Sequence, residues 1–247
     1  MTARKIYVAA WLIVLLAGIA CAAGDVWKSK PFAQWDEKDV RKILSESPWS
    51  KVTQVPASWA AGDSSGSTLP SATQEHSPDG GVMGGGKTSG GPPSAPQVTQ
   101  ANFVVRWISS RTVREALLRS AVLGGKMKQE DAEKQAAQPV ESYQVMVVGT
   151  DMTPFQGADE KDLASRAFLT SKKTKQRIAA TGVEFQRGPD GKSVQALAFN
   201  FPKQAAGGEP TIGTSEKEVE FSCSAGGANI RTSFDVSKMD DSQGRDL

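Results

Sequence analysis

Between Ala57 and Thr99 the chain carries almost no branched aliphatic side chains, and its middle reads SSGSTLPSATQEHSPDGGVMGGGKTSGGPPSAP. A stretch of this composition cannot bury enough apolar surface to offset the entropy lost on ordering it. Residues 57–99 are therefore read as a disordered Gly/Ser/Pro linker with an average span of about 35 Å. Material able to fold is confined to a Trp-rich segment at 23–56 and a domain at 100–239, with 240–247 expected to be a flexible tail.

The chain opens with a short basic stretch, Met1–Lys5, followed by the apolar run IYVAAWLIVLLAGI from Ile6 to Ile19 and then small residues. That order is the basic, apolar and cleavage-site order of a secretory signal. Ala20-Cys21-Ala22 fits the small-x-small rule, which sets residues 1–22 as the signal peptide with cleavage before Ala23. One alternative is a lipoprotein signal that lipidates Cys21, although Gly18 stands where a lipobox carries leucine. The other is retention as an anchor, since Ile6 to Gly24 is free of charge over close to the ~20 residues that span a bilayer. All three outcomes predict an extracytoplasmic protein: periplasmic, secreted or membrane-anchored.

Export changes the charge balance. The full chain has 29 Lys and Arg against 27 Asp and Glu, and loss of Arg4 and Lys5 makes the mature chain neutral. A neutral chain has no general field to draw it onto nucleic acid or an anionic membrane, so neither is expected as a partner except through the N-terminal signal or lipid. With Cys21 gone, Cys223 is the one remaining cysteine and no intramolecular disulfide can form.

Periodicity outlines the folded parts. Asp36 and Asp39 predict a capped helix running to about Ser45, with Trp35 before the cap and Val40 at its fourth position forming a hydrophobic staple. Val40, Ile43 and Leu44 share one face of it, and Trp49 follows Pro48. A helix of three turns is marginal alone, so Trp35, Val40, Ile43, Leu44 and Trp49 are the candidate docking residues, engaging either the downstream domain or a protein partner in the cell envelope. From Asn102 onward the pattern predicts a strand at Phe103–Ile108, a helix with a capping box at Thr112 and Glu115, and a second helix at about Gln129–Gln138. A strand at Tyr143–Val148 and a helix from Asp159 to about Leu169 come next. Two hairpins follow, 183–187 with 193–201 and 218–224 with 229–236, the second turning at Gly226-Gly227. The fold class expected is α+β: β-α-α-β-α followed by four antiparallel strands, with helices on one face of a mainly antiparallel sheet.

Few groups capable of chemistry stand out. Gly81-Val-Met-Gly-Gly-Gly86-Lys87-Thr88 matches the phosphate-loop pattern letter for letter. The mechanism needs a strand before the loop and a helix after it, whereas SPDG and SGGPPSAP flank it, so the match is read as tether. His76 is the only histidine and lies in the linker, which removes Ser-His-Asp and Cys-His sites and, with a single mature cysteine, zinc. No catalytic, cofactor-binding or metal-binding residue is assigned, and no cofactor is expected. Cys223 alternates onto an apolar strand face and is read as an inert core thiol. The carboxylates Asp151, Asp159, Asp162, Asp240 and Asp241 are the basis of the alternative reading, a cell-wall or carbohydrate hydrolase. Lys172, Lys173, Lys175 and Arg177 form a local basic patch without the interleaved aromatics that stack bases.

The segments WKSKPFAQWDEKDVRKILSESPW and KEVEFSCSAGGANIRTSFDVSKM, separated by a Gly/Ser/Pro linker after an export signal, resemble a group of uncharacterised exported bacterial proteins. That resemblance implies the segment boundaries and no activity. The function expected from the sequence is that of an exported, non-enzymatic envelope protein acting as a binding or interaction module.

Overall fold

The computed structural model describes residues 25–57, 59 and 100–247. The N-terminal apolar run with Cys21, the candidate lipidation site, and His76 and the Gly81–Thr88 match lie outside the described residues. What is described has the α+β class, with mainly antiparallel sheets.

The N-terminal part begins with a short helix α1 (Val26–Ser29) and a 3-10 turn at Phe32–Gln34, and continues into α2 (Glu37–Glu46). The cap of α2 is reciprocal: Asp39 N–H donates to the Asp36 carboxylate at 2.8 Å, and Asp36 N–H donates back to Asp39 at 3.3 Å. Trp35 and Val40 on either side of it are both buried. Strand β1 (Ser50–Pro56) then pairs antiparallel with β2 (Gln100–Trp107) along its whole length, from Ser50 opposite Arg106 to Pro56 opposite Gln100. This alters the expected organisation. The two parts assigned to a docking segment and a separate domain contribute neighbouring strands to one sheet, so residues 57–99 connect two ladder partners. β1 escapes a sequence reading because it alternates polar residues with few apolar ones and ends in Pro56, which sits where no ladder donor is required.

β2 leads into α3 (Arg111–Leu123) and α4 (Gln129–Ala136), followed by β3 (Ser142–Gly149). The cap of α3 differs from the capping box expected at Thr112 and Glu115. Ser110 is the N-cap, its Oγ accepting from Val113 N–H at 3.2 Å. Thr112 instead lies buried in the first turn. The next helix, α5 (Glu160–Ser165), is capped by Asp159 as expected but is shorter than expected. Phe168–Ser171 forms strand β4, paired with β5 (Arg177–Ala179) on one side. A β-branched residue at Thr170 and a strand partner on each edge outweigh the helical spacing of Leu163, Ala167 and Phe168.

The remaining strands are β6 (Gly182–Arg187), β7 (Val194–Pro202), β8 (Glu218–Ala225) and β9 (Ala228–Asp235), with a small terminal hairpin of β10 (Asp240–Asp241) and β11 (Gly244–Arg245). They divide between two sheets, one in the order β1-β2-β3-β7-β6 and the other β5-β4-β8-β9. The chain crosses from the second to the first where β5 runs on to β6, Thr181 N–H donating to Asn200 O. At the opposite side Thr53 Oγ1 on β1 donates to Arg231 O on β9 at 3.3 Å.

Aromatic side chains from the two sheets meet in between: Trp107 and Phe234 rings are 5.4 Å apart, as are Phe199 and Phe221. Trp35, Trp49 and Trp107 are among the largest fully buried side chains. Removing ~200 Å² of indole surface from water at about 25 cal/mol/Å² contributes about 5 kcal/mol each. At that magnitude the N-terminal segment is part of the core rather than a loosely docked arm. Arg106, alternating outward on β2, is covered by the helices and donates through Nε to Leu44 O at 2.7 Å.

Residues 240–247, expected as a flexible tail, are held in place. Asp246 is buried, its carboxylate accepting from Arg111 N–H at 2.6 Å and Thr112 N–H at 2.9 Å at the start of α3. A carboxylate there meets the orphan donors and the positive end of the helix dipole.

Candidate functional site

The residues singled out from sequence are placed as follows. Trp35, Val40, Ile43 and Trp49 are buried in the shared core, and Leu44 is partly buried against it. Each of the five candidate carboxylates has its own local partner. Asp151 accepts from Trp59 Nε1 at 2.7 Å and Thr153 N–H at 2.9 Å. Asp159 caps α5 and Asp162 pairs with Arg166 at 2.9 Å. Asp240 pairs with Lys28 at 2.7 Å, and Asp241 with Arg111 at 2.5 Å. Cys223 is buried, which pushes its thiol far above the ordinary range. In the basic patch, Lys172 pairs with Glu220 at 2.6 Å and the Arg177 guanidinium lies 3.8 Å from the Phe168 ring.

A different set of charges converges elsewhere. A cleft of about 550 Å³ opens between the first turns of α3, the end of α4, the loop to β3, and the terminal hairpin. Arg111, Arg114 and Glu115 enter it from α3, Lys203 from just beyond β7, and Arg245 and Asp246 from the C-terminal residues, with Ser109 at its wall.

The cations in this cleft are not alike. Arg111 is neutralised, its Nε donating to Asp241 at 2.8 Å and its guanidinium also reaching Gln243. Three others meet only uncharged acceptors. Arg114 donates to Gln138 O at 2.7 Å while its Nε is buried without a partner. Lys203 donates to Val140 O at 2.9 Å and lies 5.5 Å from the Tyr143 ring. Arg245 donates to Gly213 O at 2.9 Å and Glu216 O at 3.3 Å. Burial lowers the pKa of Arg114 and of Lys203, and for Lys203 the neighbouring Arg114 charge adds to the effect, while the Asp246 carboxylate opposes it in both. Partial burial without an ion pair is costly for Arg114 and Lys203, whereas Arg245 is exposed.

Two more polar groups in the cleft lack partners. The Ser109 hydroxyl is buried with no hydrogen bond. Glu115 makes no hydrogen bond or ion pair, and burial raises its carboxyl to about 7, with the Asp241 and Asp246 charges adding to the rise against the opposing Arg111 and Arg114. Asp246 is already committed to the backbone of α3.

No family model, curated protein or solved structure matches the chain.

The cleft was not legible in sequence because its members come from distant parts of the chain and no spacing links them. No sequence pattern singles out Lys203 or Arg245, and Glu115 reads as half of a capping box. A second cleft of about 450 Å³ lies between α2 and α3, lined by Leu44, Arg106 and the exposed Leu123 among others. Among the described residues, no helix is long and apolar enough to cross a membrane, and no group of three or more His, Cys, Asp or Glu could hold a metal.

Proposed function

We propose that this chain is an exported, non-enzymatic binding module of the cell envelope, and that it holds an anionic ligand in the cleft between α3, α4 and the terminal hairpin. The observation that carries this reading is that Arg114, Lys203 and Arg245 converge there with only carbonyl oxygens as partners. Phosphate, sulfate or carboxylate oxygens would supply the anionic acceptors these three groups lack, and guanidinium groups bind such oxygens with charge-assisted, often paired hydrogen bonds. The unpartnered Ser109 hydroxyl and Arg114 Nε add donors of matching chemistry. The export address rests on the signal-like order of residues 1–22. Burial of Trp35 and Trp49 in the chain's own core supports docking of that segment within the molecule, and leaves the cleft as the surface offered to a partner.

The hydrolase reading draws on Glu115, a carboxyl held protonated near neutrality beside two other acids, in the manner of a general acid. Against it, both Asp246 oxygens are taken by α3 amides, so the cleft has no free second carboxylate from that residue.

Titration of isotopically labelled protein with sodium sulfate, against sodium chloride at matched ionic strength, tests the proposal. Resonances of Ser109, Arg114 and Lys203 are expected to shift with sulfate and not with chloride. An Arg114→Gln, Arg245→Gln double variant is expected to lose the response. Shifts absent, or unchanged in the variant, would refute the reading, and turnover of a glycan substrate that Glu115→Gln abolishes would favour the hydrolase.

A further inference from the structure

We infer that anion binding in this cleft is proton-linked, the ligand being held while Glu115 is protonated and expelled when Glu115 ionises. The inference rests on the binding reading above and assigns its regulation.

The geometry isolates Glu115. One turn earlier on α3, Arg111 is its natural partner. That guanidinium is instead drawn to Asp241 at 2.5 Å and to Gln243, which leaves Glu115 with neither hydrogen bond nor ion pair. Arg114, next to it on the helix, reaches Gln138 O.

The charged groups around Glu115 come from every wall of the cleft. Arg111 and Arg114 lie on α3, Glu133 on α4, Asp241 and Arg245 on the terminal hairpin, Asp246 after it, and Lys203 beyond β7. Glu133 is tied to the Gln129 amide at 3.0 Å and Asp246 to the α3 backbone. Glu115 is therefore the cleft acid with no fixed partner.

Ionised, it places a negative charge among the cations the ligand must use and repels the ligand directly. Protonated, it removes that repulsion and its hydroxyl becomes a donor facing the site. Burial brings this change to about 7, so both forms are populated at neutral pH and ligand binding takes up a proton from solvent. By linkage, a bound anion in turn raises the proton affinity of Glu115.

The test uses sulfate and the full chain, because sulfate keeps its double charge from about pH 5.5 to about pH 8.5 and any pH dependence belongs to the protein. Calorimetric affinity is expected to fall about fivefold or more across that range, with its midpoint near the about 7 of Glu115. Buffers of different ionisation enthalpy are expected to report proton uptake at neutral pH. In Glu115→Gln, whose amide stands in for the protonated carboxyl, both the slope and the proton uptake should vanish. Equal affinity at all pH values in the unmodified chain, or a slope that persists in Glu115→Gln, would overturn proton linkage while leaving anion binding intact. Sulfate binding at no pH would overturn the binding reading itself. A carbon-detected titration of Glu115 without sulfate gives an independent arm, and a midpoint in the ordinary carboxylate range of about 4–5 overturns the linkage.

Discussion

The indole of Trp49 donates a hydrogen bond to the main-chain carbonyl of Asp246 at 2.7 Å, joining the start of the first strand to the end of the chain. The same Asp246 accepts two backbone N–H bonds at the head of α3. The C-terminal residues thereby complete a helix cap begun by Ser110 and form one wall of the basic cleft.

Asp246→Ala leaves two amide donors at the head of α3 without partners, the buried one of Thr112 and the part-buried one of Arg111. A buried unsatisfied donor costs about 1–3 kcal/mol, so the variant should lose about 3 kcal/mol in urea unfolding. Asp246→Asn, which keeps one acceptor, should lose less. A loss within ~0.5 kcal/mol for Asp246→Ala would show the tail to be dispensable.

Gly226 makes a sharper steric prediction. It turns the β8–β9 hairpin with φ +51° beside Gly227 at φ +86°, and a Cβ at Gly226 would stand 2.5 Å from Pro154 O. Gly226→Ala combines left-handed strain of about 1–2 kcal/mol with a backbone clash. Thermal unfolding should show a loss of about 2 kcal/mol or more; a neutral result would mean the turn relaxes away from Pro154.

Much of this architecture could be read from the residues alone, for definite reasons. Asp36 and Asp39 announce α2, and the alternation of Val219, Phe221 and Cys223 announces β8, because capping and period-2 burial are local effects. β4 is hidden in the sequence because Phe168-Leu169 continues a helical spacing from Leu163, and only pairing with β5 and β8, a non-local event, decides for strand. The division into two sheets depends on the crossing at Ala180-Thr181, which carries no signature. The cleft was least legible, since Glu115 and Lys203 acquire their character from partial burial and Arg245 reaches the same cleft from a distant part of the chain.

The pairing of Pro56 with Gln100 predicts how the stretch between them can be altered. If residues 57–99 only close a hairpin, replacing 61–98 with about six Gly/Ser residues lowers the loop-closure cost, a gain of about 1–2 kcal/mol. Trp59, which donates to Asp151 at 2.7 Å, is kept. Equilibrium unfolding of the shortened chain should show equal or higher stability with unchanged near-ultraviolet dichroism from the buried tryptophans. A collapse of that signal would restore the tether reading, in which the two parts need separation.

Glu115 also fixes the sign of a stability change with pH. Its carboxyl holds a proton to about 7 in the folded chain, against an ordinary value of 4.5 once unfolded. Between those values the folded state binds more protons, so stability from this group falls as pH rises, and above about 7 the cost of the buried charge is present in full. Glu115 is only half-buried, and solvent screening reduces the effect to about 1–2 kcal/mol. Glu115→Gln should therefore be more stable than the unmodified chain at pH values above about 7 and equal to it near the ordinary carboxylate range. Urea midpoints measured across that interval decide the matter: a variant less stable at the alkaline end would mean that the ionised carboxylate is held by Arg111 or Arg114, and that Glu115 is a structural counter-ion to the cleft's cations.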